Sequence, residues 1–277
     1  MSDSGQTAAQ PARRGDSAVR QILSSLVIVG ICGIFLRFGS LIVTMAVSHL
    51  WDPEDPVVSA WAFLFRQLIM VFIYPSVLNL FRPAFIPLYN EIKQQEGPEA
   101  AMVFARGVLE IGMFLALLVF GVIWFWPDLT VSVMAPKFSV EQHAASVALM
   151  RQMAPGILFL LIAEMYLILF HAEKKFAYPH GAEALQKIAW GCGIVVAAKL
   201  LGGRDSVIGT AYSAGCLLQV LVTAYGMRRT FGWVLRYASL KTWFSRWGRR
   251  AGLLVLPLII GIIGALARDY LTHWLQT

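Results

Sequence analysis

The sequence predicts an all-α membrane protein of about seven transmembrane helices, and three observations carry that prediction. Of 277 residues 58% are hydrophobic and only 14% are charged, with a mean hydropathy of +0.65, whereas soluble domains carry about 25% charged residues. Uncharged runs recur, for example 111–126 and 251–267. They approach the length of about 20 apolar residues that crosses a hydrocarbon core about 30 Å thick. Lys and Arg gather at the ends of these runs and alternate from one connection to the next. The net charge of +7 therefore reads as membrane topology and not as nucleic-acid binding.

The elements follow in order. Residues 1–19 are polar and rich in Ser, Gln, Ala and Pro, and are expected to be a disordered cytoplasmic tail. The apolar run after Arg20 continues to about Leu50, too long for a signal core, and reads as an uncleaved first helix over 21–50. Further helices are expected over 57–91, 99–126, 143–171, 181–201 and 206–227, which close a six-helix lobe over 20–228. Residues 229–248 mix Arg229, Arg236, Lys241 and Arg246 with Phe231, Trp233, Tyr237, Trp243, Phe244 and Trp247. That pattern suits an interfacial amphipathic helix on an anionic leaflet, a topology anchor, or both. A seventh helix over 249–271 lies within the last segment, 249–277.

Connection charge sets the orientation. The acidic segment Trp51-Asp52-Pro53-Glu54-Asp55-Pro56 has no Lys or Arg, and the connection after the third helix has only Lys137. Arg13, Arg14 and Arg20 precede helix one, Lys93 follows helix two, and Lys174 and Lys175 follow helix four. The positive-inside rule then places the N-terminus in the cytoplasm and the C-terminus outside.

Two features can carry function. The second helix would be about 52 Å long if unbroken, because each residue rises about 1.5 Å, and it contains Pro75, Pro83 and Pro87. Each proline removes a backbone hydrogen bond and tends to kink a helix. Such kinks either line a substrate path, as in many transporters, or only improve packing. Pro155 adds a kink in the fourth helix. Charges at membrane depth are the second feature. Arg37 is mid-helix one, Arg66 and Gln67 lie in helix two, and Glu164 is mid-helix four. A charge at the bilayer centre costs at least about 2.5–3.5 kcal/mol, so these residues should face a cavity or a partner. Arg37 and Arg66 on a shared cavity suit a phosphate-bearing headgroup, with Glu164 as counter-ion; an internal Arg–Glu pair is the competing reading. Asn79 and Arg82 sit around the helix-two prolines and can cap freed carbonyls. Gln219 is expected to bond a neighbouring helix.

Cys32, Cys192 and Cys216 lie inside apolar segments without C-x-x-C spacing. His143, His171 and His180 show no metal-ligand spacing, and neither a Ser-His-Asp order nor a Gly-rich phosphate loop is present. No metal, no cofactor and no enzymatic activity are expected.

Phe81-Arg82-Pro83-Ala84-Phe85-Ile86-Pro87-Leu88-Tyr89-Asn90-Glu91-Ile92-Lys93 resembles the end of helix two in the MurJ/MviN family of lipid II flippases. Ala135-Pro136-Lys137-Phe138 is similar to that family's "APGF" after helix three. Leu149-Met150-Arg151-Gln152-Met153-Ala154-Pro155-Gly156-Ile157-Leu158 is similar to its helix-four opening. Lys175-Phe176-Ala177-Tyr178-Pro179 is similar to its link into helix five. The matches keep the family's order over about 33–203.

The resemblance implies one six-helix lobe of a MATE-like, MurJ-like fold of the multidrug/oligosaccharidyl-lipid/polysaccharide exporter superfamily, plus one extra helix. It implies a bacterial inner-membrane protein that handles a lipid-linked polyprenyl-pyrophosphate precursor of peptidoglycan, such as lipid II, among membrane lipids. The chain is about half the family length, which implies a second lobe, supplied by another copy, a partner chain or a continuation. The family's helix-one arginines fall on Ile34 and Ser40 and its acid on Leu41, with Arg37 between them. The acid at the start of helix two falls near Ala60, and the basic pair near Ile73-Tyr74, two turns beyond Arg66. A non-transporting membrane scaffold in an envelope-building complex is the alternative reading.

Overall fold

The computed structural model describes residues 11–66, 69, 74–201, 207–232, 249–250 and 253. Eight helices make up the described fold: α1 (Pro11–Leu50), α2 (Pro56–Phe63), α3 (Tyr74–Gln95), α4 (Pro98–Phe125), α5 (Pro127–Met134), α6 (Val140–Ala172), α7 (Ala177–Leu201) and α8 (Val207–Phe231). Among the described residues four segments are long and apolar enough to cross a membrane: Leu26–Leu50, Pro98–Phe125, Val140–Ala172 and Val207–Phe231. The chain is an all-α membrane protein. Beyond residues 249, 250 and 253 the expected seventh helix lies outside the described residues, as do residues 233–248 of the expected interfacial connection.

Three elements differ from the sequence-based expectation. The described part of α1 runs from Pro11, so residues 11–20, ahead of the expected start at residue 21, are already helical. The expected second helix is described in two stretches: α2, continued by a wide π-type turn at residues 64–66 and 69, and α3 from Tyr74 onward. Pro83 and Pro87 lie inside the unbroken α3. Finally, the short helix α5, with Pro127 in its first turn, fills the connection between α4 and α6. Eight residues are too few to stand out as a span in the sequence.

Capping explains several boundaries. Asp55 accepts a hydrogen bond from the Val57 N–H at 2.8 Å and so caps α2. Ser139 and Gln142 form a reciprocal capping box that starts α6. Helix α6 ends where Lys174 takes a left-handed conformation (φ 56°), while the Lys175 N–H reaches back to the Phe170 carbonyl at 2.8 Å.

Helix α6 is the centre of the fold. The apolar window of its span is 78% buried, against 11% for α1, and its buried residues point in every direction around the axis. One core cluster joins α1, α2, α7 and α8 to the first half of α6; a second joins α3 and α4 to the second half. Apolar transfer gives little between helices in lipid, so close packing and interhelical hydrogen bonds hold such a bundle. Gly39 and Gly191 bring α1 and α7 together: a Cβ on Gly39 would stand 2.9 Å from the Ile188 backbone nitrogen, and one on Gly191 2.6 Å from Ile42 Cγ2. Between α6 and α8 the joint is polar. Pro155 disturbs the α6 ladder, and the Ser213 hydroxyl enters it, accepting from the Gly156 N–H at 3.0 Å and donating to the Gln152 carbonyl at 2.7 Å. The two groups that would normally bond each other are bridged by a side chain from the neighbouring helix.

The turn side of the bundle is tied by a second polar joint. Glu173, just past α6, accepts from Tyr89 Oη and from Lys93 Nζ, both at 2.6 Å. Burial pushes the Glu173 carboxyl up, but the Lys93 and Tyr89 hydrogen bonds outweigh it and hold the group below the usual carboxylate range. Arg250 meets Glu91 at 2.7 Å, so residue 250 lies beside the end of α3.

Three outcomes follow for purified protein. Ser213→Ala should cost about 1 kcal/mol in thermal unfolding, the scale of an interhelical hydrogen bond in a membrane bundle. Gly39→Leu should lower the melting temperature clearly, whereas Gly30→Leu, whose added Cβ meets nothing within 4 Å, should not. Because the folded Glu173 carboxyl is held low, its stabilisation is present above the unfolded carboxylate pKa and is lost as pH falls through the folded value. Glu173→Gln should therefore lower the melting temperature at neutral pH and flatten its decline in acid. The effect should stay near 1 kcal/mol, since Lys93 is 39% exposed and screened by solvent.

Candidate functional site

Helices α6 and α7 are consecutive and joined by a short turn, yet they diverge directly after it. Each packs extensively on α8 and hardly at all on the other. The wedge between them is a cavity of about 480 Å³, within the size range of small-molecule sites. Helix α1 contributes Leu36, Ser40, Val43 and Thr44 to its wall, and α2 with the following turn contributes Trp61, Phe65 and Ile69. The charged and amide groups of the lining come from the other three helices, with a tyrosine beside them: Glu164 on α6; Glu183, Gln186 and Lys187 on α7; Tyr212 and Gln219 on α8.

Helical spacing puts the α7 residues on one stripe. His180, Glu183 and Lys187 recur at i, i+3 and i+7, and so stack along one face as α7 leaves the turn. On α6, Glu164 lies seven residues before His171, which stacks near the His180 ring at 5.9 Å between centroids. His180 Nδ1 lies 4.0 Å from Glu183 Oε2. A line of titratable groups thus runs from the α6–α7 turn into the cavity.

Two polar side chains of the cavity, Glu164 and Gln219, lack partners among the described residues. Glu164 is only 2% exposed, and neither carboxylate oxygen has a hydrogen-bond partner among the described residues. Both side-chain amide atoms of the buried Gln219 on α8 are equally without a partner among the described residues. Lys187 satisfies its charge on aromatic faces instead: its Nζ stands 5.0 Å from the Phe65 ring centre and 5.3 Å from that of Trp190. Trp190 is held by packing on Tyr212 and by donating Nε1–H to the Ile208 carbonyl at 3.3 Å. Gln186 donates to Cys216 Sγ at 3.6 Å. Glu183 and Lys187, with Arg82 of α3, lie near enough for their charges to act on Glu164.

The residues expected from the sequence fall into three groups. Glu164 lies in the cavity wall, and the half-buried Arg82 acts on it from α3 without lining the cavity. Arg37 and Arg66 are exposed and absent from the lining, although their neighbours Leu36 and Phe65 belong to it. Gln67 and the Asn79 side chain lie outside the described residues; the Asn79 backbone is part of α3. Pro75 stands at the start of α3, Pro83 and Pro87 are exposed within it, and Pro155 sits inside α6 at the Ser213 bridge. Gln219 was expected to bond a neighbouring helix; its amide instead faces the cavity unpaired among the described residues. Sequence reasoning missed Glu183, Gln186, Lys187 and the aromatic walls. A signal was present: four polar or charged residues, 180, 183, 186 and 187, within the first turns of a segment that otherwise reads as a span.

Among curated proteins none matches the chain. A family model described as lipid II flippase MurJ matches residues 57–276, from α2 past the end of α8, and so takes in four of the five helices that line the cavity. That match covers most of the chain and agrees with the all-α membrane architecture: the chain belongs to the MurJ lipid II flippase family.

Proposed function

We propose that the chain moves a lipid-linked, polyprenyl-pyrophosphate envelope precursor such as lipid II between leaflets, acting with a second lobe by alternating access. The observation that carries this reading is the family match over residues 57–276. Two structural features support it. Long apolar faces of α1 (Ile34, Phe35, Phe38) and α4 (Phe114, Leu117, Leu118) are exposed in the single chain, and such faces suit lipid or a second lobe. Arg37 and Arg66 are exposed next to cavity-lining residues, where guanidinium groups can grip a pyrophosphate in bidentate fashion at the cavity rim. Arg82 behind Glu164 is a further cation on the same route.

The orientation belongs to the same proposal. The N-terminus and the α6–α7 turn lie in the cytoplasm, and the acidic loop before α2 lies outside. In a variant lacking Cys32, Cys192 and Cys216, a cysteine at Glu54 should react with an impermeant thiol reagent added to intact cells, and one at Lys174 only after the membrane is opened. The reverse pattern would refute this orientation.

Substrate handling is tested by Arg37→Ala with Arg66→Ala in a strain depleted of its own flippase. Loss of growth rescue is expected while the variant still inserts at the parental level. Normal rescue by the double variant would overturn the assignment of these arginines, and would favour a scaffold role in which the lobe binds envelope-building partners without transport.

A further inference from the structure

We propose that the wedge between α6 and α7 is a proton-binding site, in which Glu164 takes up and releases a proton delivered from the α6–α7 turn through His180 and Glu183. The proposal concerns a ligand of the cavity, not the lipid substrate, and stands without the transport reading.

A carboxylate taken out of water and left unpaired costs many kcal/mol, so it pairs, binds a cation or takes a proton. Glu164 is buried in a membrane-spanning helix, and both its oxygens lack a partner among the described residues. The cation that lines the cavity among the described residues is Lys187, which lies over Phe65 and Trp190. The cavity thus keeps a carboxyl and an ammonium group close together but separately housed. A neutral, protonated Glu164 is compatible with that arrangement. On losing its proton it gains a charge that Lys187 and Arg82 can meet.

Supply is the second half of the argument. His180 is 28% exposed at the start of α7, and its Nδ1 is 4.0 Å from Glu183 Oε2. Glu183 lines the same cavity as Glu164, and their charges act on each other. The cavity, at about 480 Å³, has room for several waters, each taking about 30 Å³. A proton can pass from solvent to the His180 imidazole, to the Glu183 carboxylate and through water to Glu164, with no bond other than O–H and N–H made or broken. The Gln219 amide, unpartnered among the described residues, lines the same cavity, and an amide can hydrogen-bond either form of a carboxyl group.

Helix α7 supplies His180, Glu183 and Lys187, α8 supplies Tyr212 and Cys216 beside Gln219, and α3 supplies Arg82. Helix α6 adds His171, on whose charge Arg82 and His180 act. Helices α1 and α2 line the cavity with no titratable group, and Arg106 and Glu110 of α4 are not part of the lining.

Infrared difference spectroscopy between acid and alkaline pH, on the full chain in lipid nanodiscs, reads this directly. The wild type should show the carbonyl band of a buried carboxylic acid. Glu164→Gln, close to isosteric, should delete the band, and Glu164→Asp should retain one at a shifted position. In heavy water, His180→Ala and Glu183→Gln should each slow deuterium exchange at that band severalfold. Should Glu164→Gln fail to fold, His180→Ala, at the rim, still reads the same proton traffic. A band that survives in Glu164→Gln would overturn the proposal. So would a band that responds to sodium chloride at fixed pH, which would make the ligand a metal cation, and so would unchanged exchange in both the His180 and Glu183 variants. No transport is measured, so failure here leaves the flippase reading untouched, and the reverse also holds.

Discussion

The fold depends on the joint between α6 and α8. The Pro155 ring disturbs the α6 hydrogen-bond ladder at membrane depth, where no water is at hand to satisfy freed groups. Ser213 ties into the next rung with one hydroxyl, because an O–H can accept from Gly156 and donate to Gln152 together. The same close approach needs Gly156, since a Cβ there would stand 2.8 Å from Ser213 Cα. A proline, a glycine and a serine from two helices therefore form a single device. It fixes α8 on the most buried helix of the molecule.

The cavity follows from that joint. Helix α8 is bound to α6 on one side and to α7 on the other, and α7 is in turn bound to α1 through Gly39 and Gly191. With both helices claimed by other neighbours, α6 and α7 separate beyond their shared turn. The left-handed Lys174 and the Tyr89–Lys93–Glu173 hydrogen bonds hold the closed end of the wedge. Polar residues can persist at this depth because they face the wedge and not lipid. That is also why α7 is absent from the helices that qualify as spans by apolarity, although it is 25 residues long and packed among them.

Charge housing in the wedge is unusual in form and ordinary in physics. An ammonium group over aromatic faces keeps its charge without a carboxylate partner. Glu164 is thereby left with no ion pair, next to a Gln219 amide that also lacks a partner among the described residues. Buried polar groups in this state mark places where a structure is prepared for something to bind. The family match supplies the setting, a lipid II flippase lobe in the membrane.

Much of this molecule was legible in the residues alone. Run length and the sparseness of charge determined the all-α membrane class, because the thickness of the hydrocarbon core is a property of lipid and not of the fold. The ordered motifs from Phe81 to Pro179 were enough to suggest the family. Helix interruptions were less legible: three prolines marked the second segment, yet Pro83 and Pro87 ride inside an unbroken α3. Membrane-depth charge singled out Glu164 correctly as a residue needing an environment, yet not which environment. Only the tertiary structure decided that, since the neighbours of Glu164 are Glu183, Lys187 and Gln219, some 19, 23 and 55 positions away in sequence. Which faces meet across a bundle depends on side-chain fit between helices, and no single helix carries that information.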